Sequence, residues 1–284
     1  MNVLFLLNKS SGRGRAHKKK NYIVSKLSSI FDSVEVIESE SREHFMQSAK
    51  EACSKYDAII FAGGDGTFNM IANAISDEPK RPILGVIPTG TVNDAAKIFG
   101  VKRSIRQAIK VIENQKVRKF DIGKINDKYF VFAAAVGAYA DIPYKTRVDG
   151  KYMVGPLAYY FKAIPQFFRK RSLRGTLTFE DGTTSVFETP FLLIMNSAHI
   201  GGFNINKDSN SFDGKMDLFW TEPTIFNSLL RYLFTSKKIK HYKFKEVTIK
   251  TDIKDNWDID GEIGPSGDIS IKVLPNHLSI FSLK

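Results

Sequence analysis

Residues 59–69 read Ile-Ile-Phe-Ala-Gly-Gly-Asp-Gly-Thr-Phe-Asn. An apolar run feeds a turn in which Gly63, Gly64 and Gly66 surround a single acid, Asp65. Thr67, Phe68 and Asn69 follow, and a helical pattern through Met70, Ile71, Ala74 and Ile75 begins at once. Glycine has no Cβ, so a ligand can come close to the backbone N–H groups. A helix N-terminus directly behind them adds unpaired donors and the positive end of a dipole, a combination that holds phosphate. Asp65 would repel phosphate unless a divalent cation lay between them, so the loop reads as a Mg-nucleotide site. An ordinary strand-to-helix turn is the plainer alternative, but it needs one glycine rather than three.

Two further strand-to-loop elements could face the same nucleotide. Asn8 ends the first apolar run, and Lys9-Ser10-Ser11-Gly12-Arg13 follows, with Arg13 able to reach a phosphate. Pro88-Thr89-Gly90-Thr91-Val92-Asn93-Asp94 repeats the order of strand, glycine turn and helix start. A helix capped by Thr91 or Asn93 would also account for it. Neither glycine loop ends in the Gly-Lys-Ser/Thr of a Walker A motif, and neither matches the dinucleotide fingerprint. Later in the chain, Asp260-Gly261-Glu262 sets two acids around a glycine. Taken alone this is most simply a hairpin turn, as is Asp213-Gly214.

The first 120 or so residues supply the elements that must position these loops. Short apolar runs at Val3–Leu7, Ser33–Ile37, Ala58–Ala62 and Ile83–Ile87 alternate with helical patterns, among them Ala16–Ile30 and His44–Lys55. Such alternation predicts an α/β domain, residues 1–122, with a parallel sheet and flanking helices. Ligands of such sheets collect at the carboxyl ends of the strands, where the glycine turns fall. Residues 123–284 change character. Period-two and short apolar segments at Lys128–Ala134, Gly175–Phe179, Thr184–Phe187, Phe191–Met195, Met216–Trp220, Glu246–Lys250, Asp268–Val273 and Leu278–Leu283 are divided by turn signals. They predict a β-rich, sandwich-like second domain. Two helical patterns interrupt it, near Gly155–Arg169 and Ile225–Thr235.

With 284 residues, 43% hydrophobic and 25% charged, the composition is that of a globular protein with room for two domains. The lone cysteine, Cys53, excludes an internal disulfide and fits a reducing compartment. No window approaches 18 unbroken apolar residues, and the N-terminus lacks a signal-peptide pattern, so a cytoplasmic location is expected. The net charge of +12 is concentrated. Residues 150–179 and 223–245 contain no acid and mix Lys and Arg with Phe and Tyr. That mixture suits an anionic membrane surface or single-stranded nucleic acid, although a solvated basic face is the plainer reading. No nucleic-acid-binding motif accompanies it, so no nucleic-acid partner is expected.

Gly-Gly-Asp-Gly-Thr-x-Asn at 63–69, followed by Pro-x-Gly-Thr-x-Asn-Asp at 88–94, closely resembles the diacylglycerol kinase catalytic domain family. That family includes bacterial soluble lipid kinases and the sphingosine and ceramide kinases. The likeness continues through Asp121-Ile122-Gly123, Asn196 to Gly201-Gly202, Asp213-Gly214-Lys215-Met216-Asp217 and Asp260-Gly261-Glu262. It implies a phosphofructokinase- or NAD-kinase-like nucleotide domain and a β-rich lipid domain that close over Mg-ATP. Asn8, Arg13, Ser39, Gly63 to Asn69 and Thr91 would contact ATP, and Asp65 would organise the catalytic Mg²⁺. One of Asp260 and Glu262 would be the general base. Asp213, with the carbonyls of Asn210 and Lys215, would hold a second, structural Mg²⁺, and Lys162 would match a Lys in a tyrosine-rich segment.

Three stretches depart from the family pattern. Met70 stands where Glu is usual, Asn8-Lys9 where Asn-Pro is usual, and Asp94-Ala95-Ala96-Lys97 where Asp-Phe-Ala-Arg is usual. Lys97 in place of Arg keeps the charge but loses bidentate geometry. The resemblance therefore implies a cytoplasmic kinase, peripheral at the inner membrane surface and open to homodimer formation, that turns diacylglycerol into phosphatidate. Ceramide, sphingosine or a phosphatidylglycerol-like lipid are alternative acceptors. NAD kinases share Gly-Gly-Asp-Gly, but the Thr89–Asp94 motif argues against them. Met70 raises a further alternative, a nucleotide-binding regulator with little turnover, against which stand Asp65, Asp260 and Glu262.

Overall fold

A computed structural model of the chain describes residues 1–8, 15–102, 104–137, 172–200, 203–204, 206, 208–222, 239–252 and 254–283. Arg13, Lys162, Gly201, Gly202, both interrupting helical patterns and most of the two basic-aromatic stretches lie outside the described residues. The chain forms two compact units. The first comprises residues 1–120, 199–204 and 276–284, and the second residues 121–198 and 205–275. The division falls two residues before the expected boundary, and the chain's last residues return to the first unit.

In the first unit, β1 (Asn2–Asn8), α1 (Arg15–Lys18), α2 (Lys20–Ser28), β2 (Ser33–Ser39), α3 (Arg42–Lys55) and β3 (Ala58–Gly63) alternate. They are followed by α4 (Asp65–Ile75), β4 (Ile83–Pro88), α5 (Asp94–Ile98) and α6 (Ile105–Glu113). The strands run parallel in the order β2-β1-β3-β4. Val3–Leu7 and all of β3 are buried, as strands covered on both faces must be. Helix α3 starts where the Ser41 hydroxyl accepts a hydrogen bond from His44 N (3.1 Å), and it buries Phe45, Ala49, Ala52 and Cys53 along one stripe. Burial pushes the Cys53 thiol up to about 11, so the lone cysteine is filler rather than a nucleophile.

The second unit is antiparallel. Its elements include β5 (Val117–Ile125), which enters from the first unit, β6 (Lys128–Phe130), β7 (Ala133–Gly137), β8 (Leu173–Phe179), β9 (Thr184–Thr189) and β10 (Phe191–Met195). The short β11 (His199–Ile200) and β12 (Phe203–Asn204) pair with each other within the first unit. Then come β13 (Met216–Thr221), β14 (Ile239–Phe244), β15 (Glu246–Thr251), β16 (Asn256–Ile259), β17 (Glu262–Ser266) and β18 (Ile269–Phe281). One sheet has the order β14-β13-β10-β7-β16-β17, and in the other β15 lies between β18 and β8, with β9 outermost. Leu177, Phe187, Leu192, Ile194, Leu218, Phe244, Trp257 and Ile271 are among the residues of their shared core. No helix among the described residues is long and apolar enough to cross a membrane.

Three differences from the sequence expectation have physical causes. The expected strand at Lys128–Ala134 is divided between β6 and β7, because the amides of Val131, Phe132 and Ala133 donate to the Asp260 carboxylate. The two expected strands at Asp268–Val273 and Leu278–Leu283 are one long strand, β18. Pro275 is exposed within it, and Asn276 takes the positive φ (+55°) that an irregularity requires. The third difference is β14. Its sequence Ile-Lys-His-Tyr-Lys-Phe carries little apolar alternation, because it is an edge strand with exposed Lys240 and Lys243.

Candidate active site

The four strand ends of the first unit lie level with one another. Asn8 pairs with Ser39 in the β1–β2 register, Leu7 with Ala62 across β1–β3, and Gly63 with Pro88 across β3–β4. The first unit therefore brings Asn8, Ser39 and the 63–69 loop to one edge of its sheet. The buried Ser39 hydroxyl donates to Ser41 O (2.9 Å), which fixes its direction.

The two glycine loops touch backbone to backbone. Thr89 N donates to Gly63 O (3.0 Å), extending the ladder one step beyond the strands. A Cβ built on Gly90 would lie 2.7 Å from Gly64 Cα, and one on Gly63 would lie 2.3 Å from the Thr67 side chain. Glycine at 63 and 90 is thus demanded by close approach, not only by a turn. Behind them α4 opens with Thr67 N and Phe68 N both donating to Gly64 O (3.0 and 3.1 Å). The Phe68 ring lies in the core, stacked on Phe61 at 6.0 Å between centroids and edge-on to Phe99 at 5.6 Å. Phe68 is therefore an anchor for the loop, and any ligand contact it makes is through its backbone.

Asp65 reaches across to the second loop, where its Oδ1 accepts from Ala95 N at 2.9 Å. Asn93 occupies the N-cap position of α5 with a left-handed backbone (φ +57°), but its side chain does not cap the helix. Its Nδ2 donates instead to Gly90 O (2.7 Å), so Asp65 does the capping from outside. Loss of hydration pushes the Asp65 carboxyl above the usual carboxylate range. The Ala95 amide opposes that shift, and the charge of neighbouring Asp94 adds to it. Buried Asp94 is itself held by Lys97 Nζ at 2.8 Å, so the cation that replaces the family's Arg is engaged locally. Thr91 is exposed.

These residues fit a magnesium nucleotide. Thr89 Oγ1 and Asn93 Oδ1 are buried beside the glycines without a hydrogen-bond partner among the described residues, a state that costs free energy until a ligand or water supplies one. A carboxylate with a raised pKa next to a second acid is the environment that a divalent cation relieves.

In the second unit, Asp260 and Gly261 take φ of +52° and +84° as the two central residues of the β16–β17 hairpin, whose register pairs Ile259 with Glu262. Asp-Gly in that conformation is the favoured two-residue hairpin turn. The turn has a second function. Asp260 Oδ2 accepts from Val131 N (2.6 Å), and Oδ1 accepts from Phe132 N (2.9 Å) and Ala133 N (2.8 Å). Asn196 holds the same segment from the other side. Its Nδ2 donates to Val131 O (3.0 Å) and to Asp121 O (2.7 Å), and its backbone N donates to Phe132 O (2.9 Å). Asp121 and Asn196 were legible as motif residues, but their support of the Asp260 segment was not. Half-buried Glu262 begins β17.

The Asp213 carboxylate has other partners. Its Oδ1 accepts from Lys215 N (3.1 Å), and the Lys243 ammonium lies 3.4 Å from its Oδ2. The carboxylate expected to bind a structural Mg²⁺ is thus already met by a cation. Among the described residues no three of His, Cys, Asp or Glu are disposed to hold a metal. With the Lys243 ammonium beside it, the Asp213 carboxylate does not fit the second Mg²⁺ that the resemblance implies.

Comparison with known proteins agrees with the motifs. The diacylglycerol kinase catalytic domain matches residues 2–125. A diacylglycerol kinase of Staphylococcus epidermidis is 32% identical over 239 residues, which cover 81% of this chain and 76% of that protein. The Staphylococcus saprophyticus diacylglycerol kinase is 30% identical over 246 residues, covering 83% and 80%. A crystal structure of a diacylglycerol kinase from Bacillus anthracis superposes with a TM-score of 0.84 at 26% identity, covering 99% of this chain and 96% of that one. With this similarity along most of both chains, and with the paired glycine loops and the late Asp-Gly-Glu hairpin in place, the chain belongs to the diacylglycerol kinase family of lipid kinases.

Proposed function

We propose that this lipid kinase transfers the γ-phosphoryl group of ATP to the free hydroxyl of 1,2-diacylglycerol, giving phosphatidate and ADP. The observation that carries the nucleotide half is the clasp of Gly64 against Gly90, with Asp65 tied to Ala95. It offers glycine backbone and a helix N-terminus to the phosphates of ATP. Asn8, Ser39 and Thr91 would line the rest of the nucleotide site, and Asp65 would hold Mg²⁺. When bound, the ion neutralises charge on the transferring phosphoryl group. Glu262 is the base in this reading. The acceptor oxygen forms its bond to the γ-phosphorus as the bond to the bridging oxygen of ADP breaks, and Glu262 takes the hydroxyl proton. Asp260 is a positioning residue, since both of its oxygens are engaged by the 131–133 amides.

The substrate assignment is tested by offering labelled ATP with detergent-dispersed diacylglycerol, ceramide, sphingosine, phosphatidylglycerol and free NAD. Diacylglycerol should take up label fastest. Faster labelling of another acceptor reassigns the substrate, and labelling of none, with ATP still bound, supports the regulator reading.

The enzyme works, in this proposal, at an anionic membrane surface. Exposed Lys240 and Lys245 continue a run that includes Lys237 and Lys238 in the sequence. Each Lys near a charged leaflet contributes about 1 kcal/mol, so three engaged residues would tighten binding roughly a hundredfold. Co-sedimentation with phosphatidylglycerol vesicles should exceed that with neutral vesicles, weaken with salt, and fall when Lys237, Lys238 and Lys240 are changed to Glu. Equal binding to neutral and anionic vesicles would return this run to an ordinary solvated edge.

A further inference from the structure

The segment from Asp208 to Lys215 leads into β13 and is fastened within the second unit by three hydrogen bonds to Asp121 and Asn196. Asp121 N donates to Ser211 O (3.0 Å), Gly214 N donates to Asp121 Oδ2 (2.7 Å), and Ser211 Oγ donates to Asn196 O (2.5 Å). Asp213 lies between these ties, at a turn completed by Gly214 (φ +69°). A carboxylate so placed needs a cation or solvent. The structure delivers a cation from the neighbouring strand. Lys243 lies opposite Asp217 in the β13–β14 register, and its Nζ reaches 3.4 Å from Asp213 Oδ2 and 3.5 Å from Asp208 O. On the same two strands, His241 Nε2 lies 2.6 Å from Asp217 Oδ1.

We propose that the ammonium of Lys243 is the resident cation of this loop, taking the place of the divalent ion that the family resemblance implies. An ammonium supplies three donors, and here it meets the same kinds of oxygen, one carboxylate and one backbone carbonyl, that a hard cation would use. Mg²⁺ gives up its waters reluctantly and needs near-octahedral oxygens. A single carboxylate already facing the Lys243 ammonium at 3.4 Å is a poor competitor for it, because the incoming ion would be repelled by that ammonium. Asp213 in this chain therefore closes its loop without metal, and the fastened Asp121–Asn196 network beyond it does not depend on Mg²⁺. The consequence is separable from the lipid-kinase reading, because it concerns the nucleotide-free protein.

The test is Mn²⁺ binding to the nucleotide-free full chain, followed by electron paramagnetic resonance, together with melting in chelator and in Mg²⁺. The parent and Asp213→Asn should bind Mn²⁺ equally, and the parent's melting temperature should be the same in chelator and in Mg²⁺. Lys243→Met should uncover the carboxylate. It should gain one Mn²⁺ site per chain, at least tenfold tighter than any in the parent, and lose that site again in Lys243→Met/Asp213→Asn. Its melting temperature in chelator should fall by roughly 2–4 °C, as expected for an interaction worth about 1 kcal/mol, and recover with Mg²⁺. Lys243→Arg should behave as the parent. A parent that already binds Mn²⁺ through Asp213 and melts lower in chelator overturns the proposal. So does a Lys243→Met variant, folded, that gains no site.

Discussion

Asp65→Asn is expected to lower phosphoryl transfer more than a hundredfold while leaving the nucleotide-free protein at least as stable as the parent at neutral pH. The two halves of this result have different causes. Losing the charge that would hold Mg²⁺ removes transition-state stabilisation, and ~3 kcal/mol is already over a hundredfold in rate. The fold loses nothing comparable, because the Asn oxygen can still accept the Ala95 N–H that Asp65 accepts at 2.9 Å. Loss of hydration holds the Asp65 carboxyl above its ordinary range, against the pull of the Ala95 amide and with the help of the Asp94 charge. A carboxyl whose folded pKa exceeds its unfolded one favours folding only while protonated, and that contribution is lost as pH rises through the folded value. Once deprotonated, the parent carries a charge that the folded state disfavours, and the variant does not. Without metal, the variant should therefore melt no lower than the parent at pH 7, with any advantage shrinking as pH falls toward about 4, the ordinary Asp range. Mg-ATP should raise the parent's melting temperature more than the variant's. Activity within about threefold of the parent would remove Asp65 from the machinery. A variant that melts well below the parent at pH 7 would make it chiefly a cap for α5.

What the sequence makes legible here is local. Gly63, Gly64, Asp65 and Gly66 between an apolar run and a helical pattern identify a phosphate-binding edge because close approach and helix polarity are properties of neighbouring residues. The alternation of strand and helix through the first 120 residues is legible for the same reason, and it gives the parallel order in which strand ends become neighbours. The support of the late acids is not local. Asp260 binds amides 127 to 129 positions earlier, and nothing within Asp-Gly-Glu distinguishes a hairpin turn from a turn whose first side chain fastens a distant segment. The same limit hid the split of the Lys128–Ala134 segment, whose apolar pattern continues although its amides turn away from the ladder. Lys243 beside Asp213 depends on the β13–β14 register, which a lysine-rich edge strand does not announce. Asp65 as the cap of a helix 30 residues later is a further case, since Thr91 and Asn93 carry the ordinary capping signal and neither is used that way.

Asp260→Asn and Glu262→Gln should then fail in different ways, although the two residues are separated only by Gly261. The Asp260 carboxylate presents two acceptor oxygens to three N–H donors. An Asn has one acceptor oxygen, and its NH₂ would face an N–H group, leaving at least one amide of the 131–133 segment unpaired. Hydrogen bonds to a charged group contribute about 1.5–3 kcal/mol, so the expected loss is roughly 2–4 kcal/mol of stability. It should appear as a melting temperature several degrees lower, with activity falling as the segment loosens. Glu262→Gln changes no size and leaves the Ile259 register partner in place, so its melting temperature should fall less than that of Asp260→Asn. Its kcat should fall by ~10²–10⁴, the usual worth of a positioned base, with little change in KM for ATP. The pattern discriminates between the two acids because a structural loss moves melting and a chemical loss does not. If Asp260→Asn melts like the parent and loses more kcat than Glu262→Gln, the proton goes to Asp260. If both variants turn over normally, the hairpin is only a hairpin, and the base belongs to another residue.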